Sequence, residues 1–292
     1  MVPRTDQTET ALAGETVTWM PRVESRQLGH AMRNLGAAIA LHHRVRPRLV
    51  LSSGAAQAVP HLLAAAMHGT PVEYDESVAR VDGPSLTGRI ASRLPRTALV
   101  APLPGWGRRW SYEPDLFSCF EVTPGPRRPV VDALVSLGTE HFPFHRAVAM
   151  VRDLLPDDAV TWQVGNTDVQ VAGRLLNRWL RPDVLGLTMT TSSVVVVHGG
   201  AGSILTALAA GRVPVVLARC PDLGEHVDDH QLRMCESLAE RGLIVLVRPT
   251  ERLTAGHLAL AASLVARRSW SVRPGVAMPA PPTAPALHPR AV

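Results

Sequence analysis

The clearest chemistry in this chain lies in His198-Gly199-Gly200-Ala201-Gly202-Ser203. Before it stands Ser193-Val194-Val195-Val196-Val197, an unbroken β-branched run of the kind that forms a strand buried on both faces of a parallel sheet. After it, Ser203 to Ala210 is apolar at Ile204, Leu205 and Leu208, rich in Ala and stopped by Gly211, which predicts a helix. Strand, glycine turn and helix in that order make an anion site. Glycines let backbone amides approach a ligand, and a helix N-terminus adds unpaired N–H donors and a positive dipole end suited to phosphate or pyrophosphate.

Two familiar phosphate motifs do not match. A P-loop needs Lys followed by Ser or Thr, and this turn has neither. The spacing G-x-G-x-x-G, counted from Gly200 and Gly202, puts Leu205 where its third glycine belongs. The turn is therefore a phosphate site of another type, or a structural turn alone.

A second element strengthens the first reading. Val213 to Ala218 is another buried strand, running into Pro221-Asp222-Leu223-Gly224-Glu225-His226-Val227-Asp228-Asp229-His230-Gln231. Ligands of open α/β sheets bind at the carboxyl ends of the strands, so the glycine turn and this acidic turn should face one crevice. A carboxylate there can accept both hydroxyls of a ribose, and an amide such as Gln231 can donate to and accept from a sugar ring. The bland alternatives are that Glu225 caps the next helix and that Gln231 is a solvated helix residue.

H-G-G-A-G-S followed by a strand and E-H-V-D-D-H-Q resembles the donor-binding domain of family-28-type glycosyltransferases. That group includes the peptidoglycan N-acetylglucosaminyltransferase, the two-subunit N-acetylglucosamine transferase of the dolichol pathway and bacterial exopolysaccharide glucuronosyltransferases. Val135-Ser136-Leu137-Gly138-Thr139-Glu140-His141-Phe142-Pro143-Phe144 looks like the opening of the catalytic subunit of the two-subunit enzymes. Ser52 to Pro60 and Glu76 to Arg89 look like its partner subunit, so the chain resembles both subunits fused.

The resemblance implies GT-B architecture, an α/β fold of two Rossmann-like domains facing across a cleft. It implies a UDP-sugar as donor substrate, with no metal or other cofactor, and a lipid-linked acceptor reached peripherally at the inner face of the cytoplasmic membrane. His198, Gly199, Gly200, Gly202 and Ser203 then hold the diphosphate, Glu225 the ribose and Gln231 the sugar, while Gly138 and Thr139 close on donor or acceptor. His198 also reads as a core histidine ending a buried strand. In these relatives the first domain opens on a strand ending in a Gly-Gly-His loop, which is missing here; either the chain continues upstream or its acceptor domain is shortened.

In the first half, Ser53 and Gly54 are candidates to hold an acceptor phosphate, with Arg80 and Arg89 as cationic partners. Glu76 is the best remaining carboxylate for proton abstraction, and Asp75 beside it competes for that role. Two rival functions remain. One is a non-catalytic nucleotide-sugar binder. The other is a metal hydrolase using His226 and His230, four residues apart as helical zinc ligands are, although Val227 stands where a zincin has its Glu.

The elements that must position these residues follow from composition and periodicity. The chain has 292 residues, enough for two cores, and is 46% hydrophobic. Its net charge is +5 and all 30 basic side chains are Arg, which suits anionic lipids or substrates. No nucleic-acid module accompanies that charge. Cys119, Cys220 and Cys235 form no paired framework, which points to a reducing compartment. No window of about 18 apolar residues reads as a membrane span.

Residues 1–122 read as the acceptor domain, 123–130 as a Pro/Gly/Arg-rich linker, 131–270 as the donor domain and 271–292 as a disordered Pro-rich tail. Within the donor domain, βα alternation predicts strands over 131–137, 160–164, 194–197, 213–218 and 243–247. Helices are expected over 144–155, around 171–180, and over 203–210, 228–241 and 254–267.

Overall fold

The computed structural model describes residues 2–3, 16–20, 32–169, 176–226 and 229–269. The tail predicted to be disordered lies outside the described residues. The chain divides into two packed units, Met1–Asp115 and Leu116–Val292. Residues 116–122, read with the first domain, thus pack with the second.

In the first unit, β1 (Val2–Pro3) and β2 (Trp19–Met20) pair in parallel. The main sheet is fully parallel and runs β3 (Val50–Ser52), β4 (Val72–Asp75), β5 (Thr97–Ala101) and β6 (Trp110–Tyr112) in spatial order. Helix α1 (Leu35–Val45) packs on α2 (Val59–His68), which links β3 to β4, and α3 (Leu86–Ala91) links β4 to β5. Leu62, Ala65, Val72, Tyr74, Ala91 and Leu99 form the core. Pro60 opens α2, where its missing N–H costs nothing, and Gly69 closes it in the left-handed conformation at φ +67°.

The second unit holds a five-stranded parallel sheet of β8 (Ala133–Ser136), β9 (Val160–Gln163), β10 (Val194–His198), β11 (Val215–Leu217) and β12 (Val245–Val247). Its spatial order is β12-β11-β10-β8-β9. Every residue of β8, β10 and β11 is buried, which is why these strands read as continuous apolar runs rather than alternating ones. Helices α4 (His145–Arg152), α5 (Pro182–Thr191), α6 (Ala201–Ala209) and α7 (His230–Glu240) make the four crossovers, and α8 (Ala255–Ala262) follows the last strand. The strand order reverses between β8 and β10. Loops leaving their carboxyl ends therefore run in opposite directions, opening a crevice at that point.

Three expectations are corrected. The helix expected over 254–267 ends at Ala262, and Leu264–Arg268 forms β13, antiparallel to β7 (Phe120–Pro124). The apolar spacing continues through Leu264 and Val265, so only the pairing partner distinguishes helix from strand there. That partner includes Thr123 and Pro124, the start of the run read as a linker. Of the helix expected around 171–180, residues 171–175 lie outside the described residues and 176–180 are not helical. The helix begins instead at Pro182, pre-set for a first helical turn by its ring.

Candidate functional site

The glycine turn stands at the reversal point of the second unit's sheet. His198 ends β10, Gly200 is the N-cap of α6, and the helix starts at Ala201, two residues earlier than the sequence reading placed it. Ala201, Gly202 and Ser203 therefore form the first helical turn. No side chain caps that N-terminus and no acidic residue lies in its first turn. Gly202 is exposed, and a Cβ there would meet nothing within 4 Å. Open amides at a positive dipole end are what an anion needs.

Gly138, leaving β8, lies against this turn. Its φ is +76°, and a Cβ on it would fall 2.1 Å from His198 Cε1; a Cβ on Gly200 would fall 2.3 Å from His198 Nε2. The imidazole is thus wedged between two glycines from adjacent strands. It is 6% exposed and its Nδ1 has no hydrogen-bond partner among the described residues. Burial, with the nearby Arg219 charge second, lowers its pKa to about 4, so the ring is neutral near pH 7. On the other flank, Gln231 of α7 lies close to Gly199, with its Oε1 buried and unpartnered among the described residues. Thr139 is exposed beside Gly138.

Glu225, expected to hold the ribose, is engaged within the protein. It is 6% exposed, and its carboxylate accepts Arg146 Nε at 3.0 Å and Nη2 at 2.7 Å, together with the Cys220 N–H at 3.0 Å. This is a bidentate, charge-assisted pair between α4 and the loop after β11. Nor does Glu225 cap the next helix, since α7 begins at His230 with no side-chain cap.

Sequence reasoning missed Arg219 as well. Its Nη1 donates to the carbonyls of Phe142 and Glu225 at 2.9 and 3.0 Å, and its Nη2 to that of Leu137 at 2.9 Å. A signal was present: an Arg directly follows four buried residues, Val215 to Ala218.

In the first unit, the structure places Glu76 at the end of β4, also 6% exposed. Its Oε1 accepts Tyr74 Oη at 3.3 Å and the Ser77 N–H at 3.1 Å, and its Oε2 accepts the Ser85 N–H at 2.8 Å. A Cβ on Gly88 would fall 2.2 Å from Oε2. These contacts fasten the 77–85 loop and the start of α3. Asp75, its neighbour, is exposed at the same strand end. Burial pushes the Tyr74 phenol up, keeping it a protonated donor.

Ser53 and Gly54 line a cavity of about 590 Å³ together with Gln57, His42, His61 and Leu62. Arg80 and Arg89 lie outside that lining: Arg89 is exposed on α3, and Arg80 is half-buried in the 77–85 loop. Of the four acceptor candidates, the cavity lining holds Ser53 and Gly54.

No protein-family model matches the chain, and no curated protein matches it. Among solved structures it is similar to MurG of Acinetobacter baumannii at 16% identity, covering 89% of this chain and 78% of that one, with a TM-score of 0.53. It is also similar to CalG4, the calicheamicin glycosyltransferase, at 16% identity over 89% and 81% of the two chains, with a TM-score of 0.51. The glycosyltransferase of kitacinnamycin matches at 16% identity over 84% and 77%, with a TM-score of 0.51. The chain has the α/β fold of GT-B glycosyltransferases. At such identities the likeness speaks for the fold.

His230 is the first residue of α7 and His226 precedes it, so the two do not share a helical face. Among the described residues no group of three or more His, Cys, Asp or Glu is arranged to hold a metal ion.

Proposed function

We propose that this chain is a nucleotide-sugar-dependent glycosyltransferase that moves a hexosyl unit, N-acetylglucosamine or glucuronate, from a UDP-sugar to a polyprenyl-diphosphate-linked or exopolysaccharide acceptor. The observation carrying the reading is the uncapped N-terminus of α6, with exposed Gly202, at the reversal point of a parallel sheet whose flanking turns are both glycine turns. The GT-B fold supports sugar transfer. The matching residues of the two-subunit enzymes support the finer choice of donor and acceptor, with the chain as a fusion of both subunits.

In this reading the diphosphate lies against the amides of Ala201, Gly202 and Ser203. An acceptor hydroxyl loses its proton to a base as its oxygen attacks the anomeric carbon, and the bond to the diphosphate oxygen breaks. The helix N-terminus stabilises the charge gathering on the departing nucleoside diphosphate, and no metal is needed for that neutralisation. Gln231, with a free acceptor beside Gly199, orients the sugar. Glu76, which is engaged by three donors, and its exposed neighbour Asp75 are the two carboxylates that compete for the role of base in this reading. Among the described residues no helix is long and apolar enough to cross a membrane, and contact with the inner membrane face in this reading is peripheral.

Calorimetric titration with UDP and a panel of UDP-sugars tests the proposal. Saturable binding is expected, weakened at least tenfold in Gly202→Ala. Folded protein that binds no nucleoside diphosphate overturns it.

A further inference from the structure

Arg219 is 1% exposed, the largest fully buried side chain among the described residues, and it belongs to neither the glycine turn nor the acidic turn as the sequence presents them. Among the described residues its guanidinium hydrogen-bonds to backbone carbonyls alone. Leu137 and Phe142 lie in the loop that leaves β8, and Glu225 in the loop that leaves β11. In the sheet these two strands lie on opposite sides of β10, so one side chain ties together the loops flanking the His198–Gly200 turn. The planar fork of donors makes this possible, because it holds acceptors in fixed directions that an ammonium cannot reproduce.

A second brace runs beside it. Arg146 joins α4 to Glu225 and to the Ala218 carbonyl, and both guanidinium groups lie over the buried Phe144 ring, at 4.5 Å for Arg219 and 5.3 Å for Arg146. Arg219 Nε has no partner among the described residues. A buried cation with an unmet donor is a poor choice for stability alone, since apolar side chains pack such space at lower cost.

We propose that Arg219 is a positioning residue for the nucleoside diphosphate: it fixes the separation of the Gly138 and Cys220–Glu225 loops around the α6 N-terminus without touching the ligand. The inference rests on the nucleotide-sugar reading of that site. Diphosphate recognition by backbone amides depends on atom positions held to within about half an ångström. Loosening one brace therefore weakens binding while leaving the sheet intact.

The test is UDP titration of the wild type and of Arg219→Lys, fitting affinity and stoichiometry separately. Arg219→Lys is expected to raise the UDP Kd tenfold or more at unchanged stoichiometry. A residue that merely helps folding would lower the binding stoichiometry and leave the Kd of the folded fraction unchanged, and that result overturns the proposal.

Hydrogen exchange on the wild type serves if Arg219→Lys does not fold. UDP should protect amides of 137–144 and of 219–226 together with those of the glycine turn; protection of the glycine turn alone overturns the role of Arg219. No binding of any nucleoside diphosphate by the wild type overturns the functional reading itself, and the role of Arg219 with it.

Discussion

His198 fills the space that a side chain on Gly138 would need, its Cε1 lying 2.1 Å from the position of a Cβ there. Two strands thus meet at the site through a ring on one and a missing side chain on the other. Gly138 also has φ +76°, a conformation unfavourable for other residues. Gly138→Ala should destabilise the second unit by roughly 2–4 kcal/mol, from strain and overpacking combined. Gly202→Ala, with open space and helical backbone, should leave stability unchanged or raise it by up to about 1 kcal/mol while weakening UDP binding. Denaturant melts and UDP titration of both variants check this pair. If Gly202→Ala binds UDP as the wild type does, the anion site is elsewhere.

Neutral His198 makes stability depend on pH. Its pKa is about 4 in the folded state against 6.5 for the free side chain, so between these values the unfolded chain binds the extra proton. Stability from this residue is fully present above pH 6.5 and is lost as pH falls toward 4, by on the order of 3 kcal/mol in all. His198→Gln should flatten the pH profile across that window. Urea melts at pH 7, 6, 5 and 4 would show parallel profiles for the two proteins if the assignment is wrong.

The Arg146–Glu225 pair is bidentate and largely buried, with Arg146 19% and Glu225 7% exposed, so removing one partner leaves a poorly compensated charge. Glu225→Ala and Arg146→Met should each cost about 3–5 kcal/mol. The double variant Arg146→Met/Glu225→Ala should cost clearly less than the sum, because neither charge is then left alone. A thermodynamic cycle built from urea melts measures that coupling, and additive costs would mean the pair is not formed in solution.

Asp75 and Glu76 are adjacent yet should respond oppositely. Glu76→Gln leaves one of three donors facing an amide N–H, costing roughly 1–3 kcal/mol of stability. Asp75→Asn should lose transferase activity by two orders of magnitude or more if Asp75 is the base, the usual scale for a general base. Full activity in Asp75→Asn, measured with UDP-sugar and acceptor under saturating conditions, would remove it from the mechanism.

How much of this could be read from the sequence differs by element. The run Ser193 to Val197 could be nothing but a strand covered on both faces, and Gly199, Gly200 and Gly202 after it marked the turn. Both depend on residues within a few positions of one another, where backbone sterics and hydrophobic patterning act directly. Gly138 was legible for the same reason, as a turn closing the next buried run.

The partners were not legible. Glu225 read as a ribose-binding carboxylate from the motif around it, whereas Arg146, which it pairs with, lies 79 positions away. Glu76 read as a base for a similar reason, although the Ser85 N–H that engages it is only nine residues on, because the intervening loop has no regular geometry. Leu264–Arg268 carried helical spacing and became a strand because Phe120–Pro124, at the far end of the unit, offered it an unpaired edge. Local patterning determines which segments can be strands, turns or helices. Which charges and edges meet is set by the order of strands in the sheet, and that order is a property of long-range packing, which no short window of sequence contains.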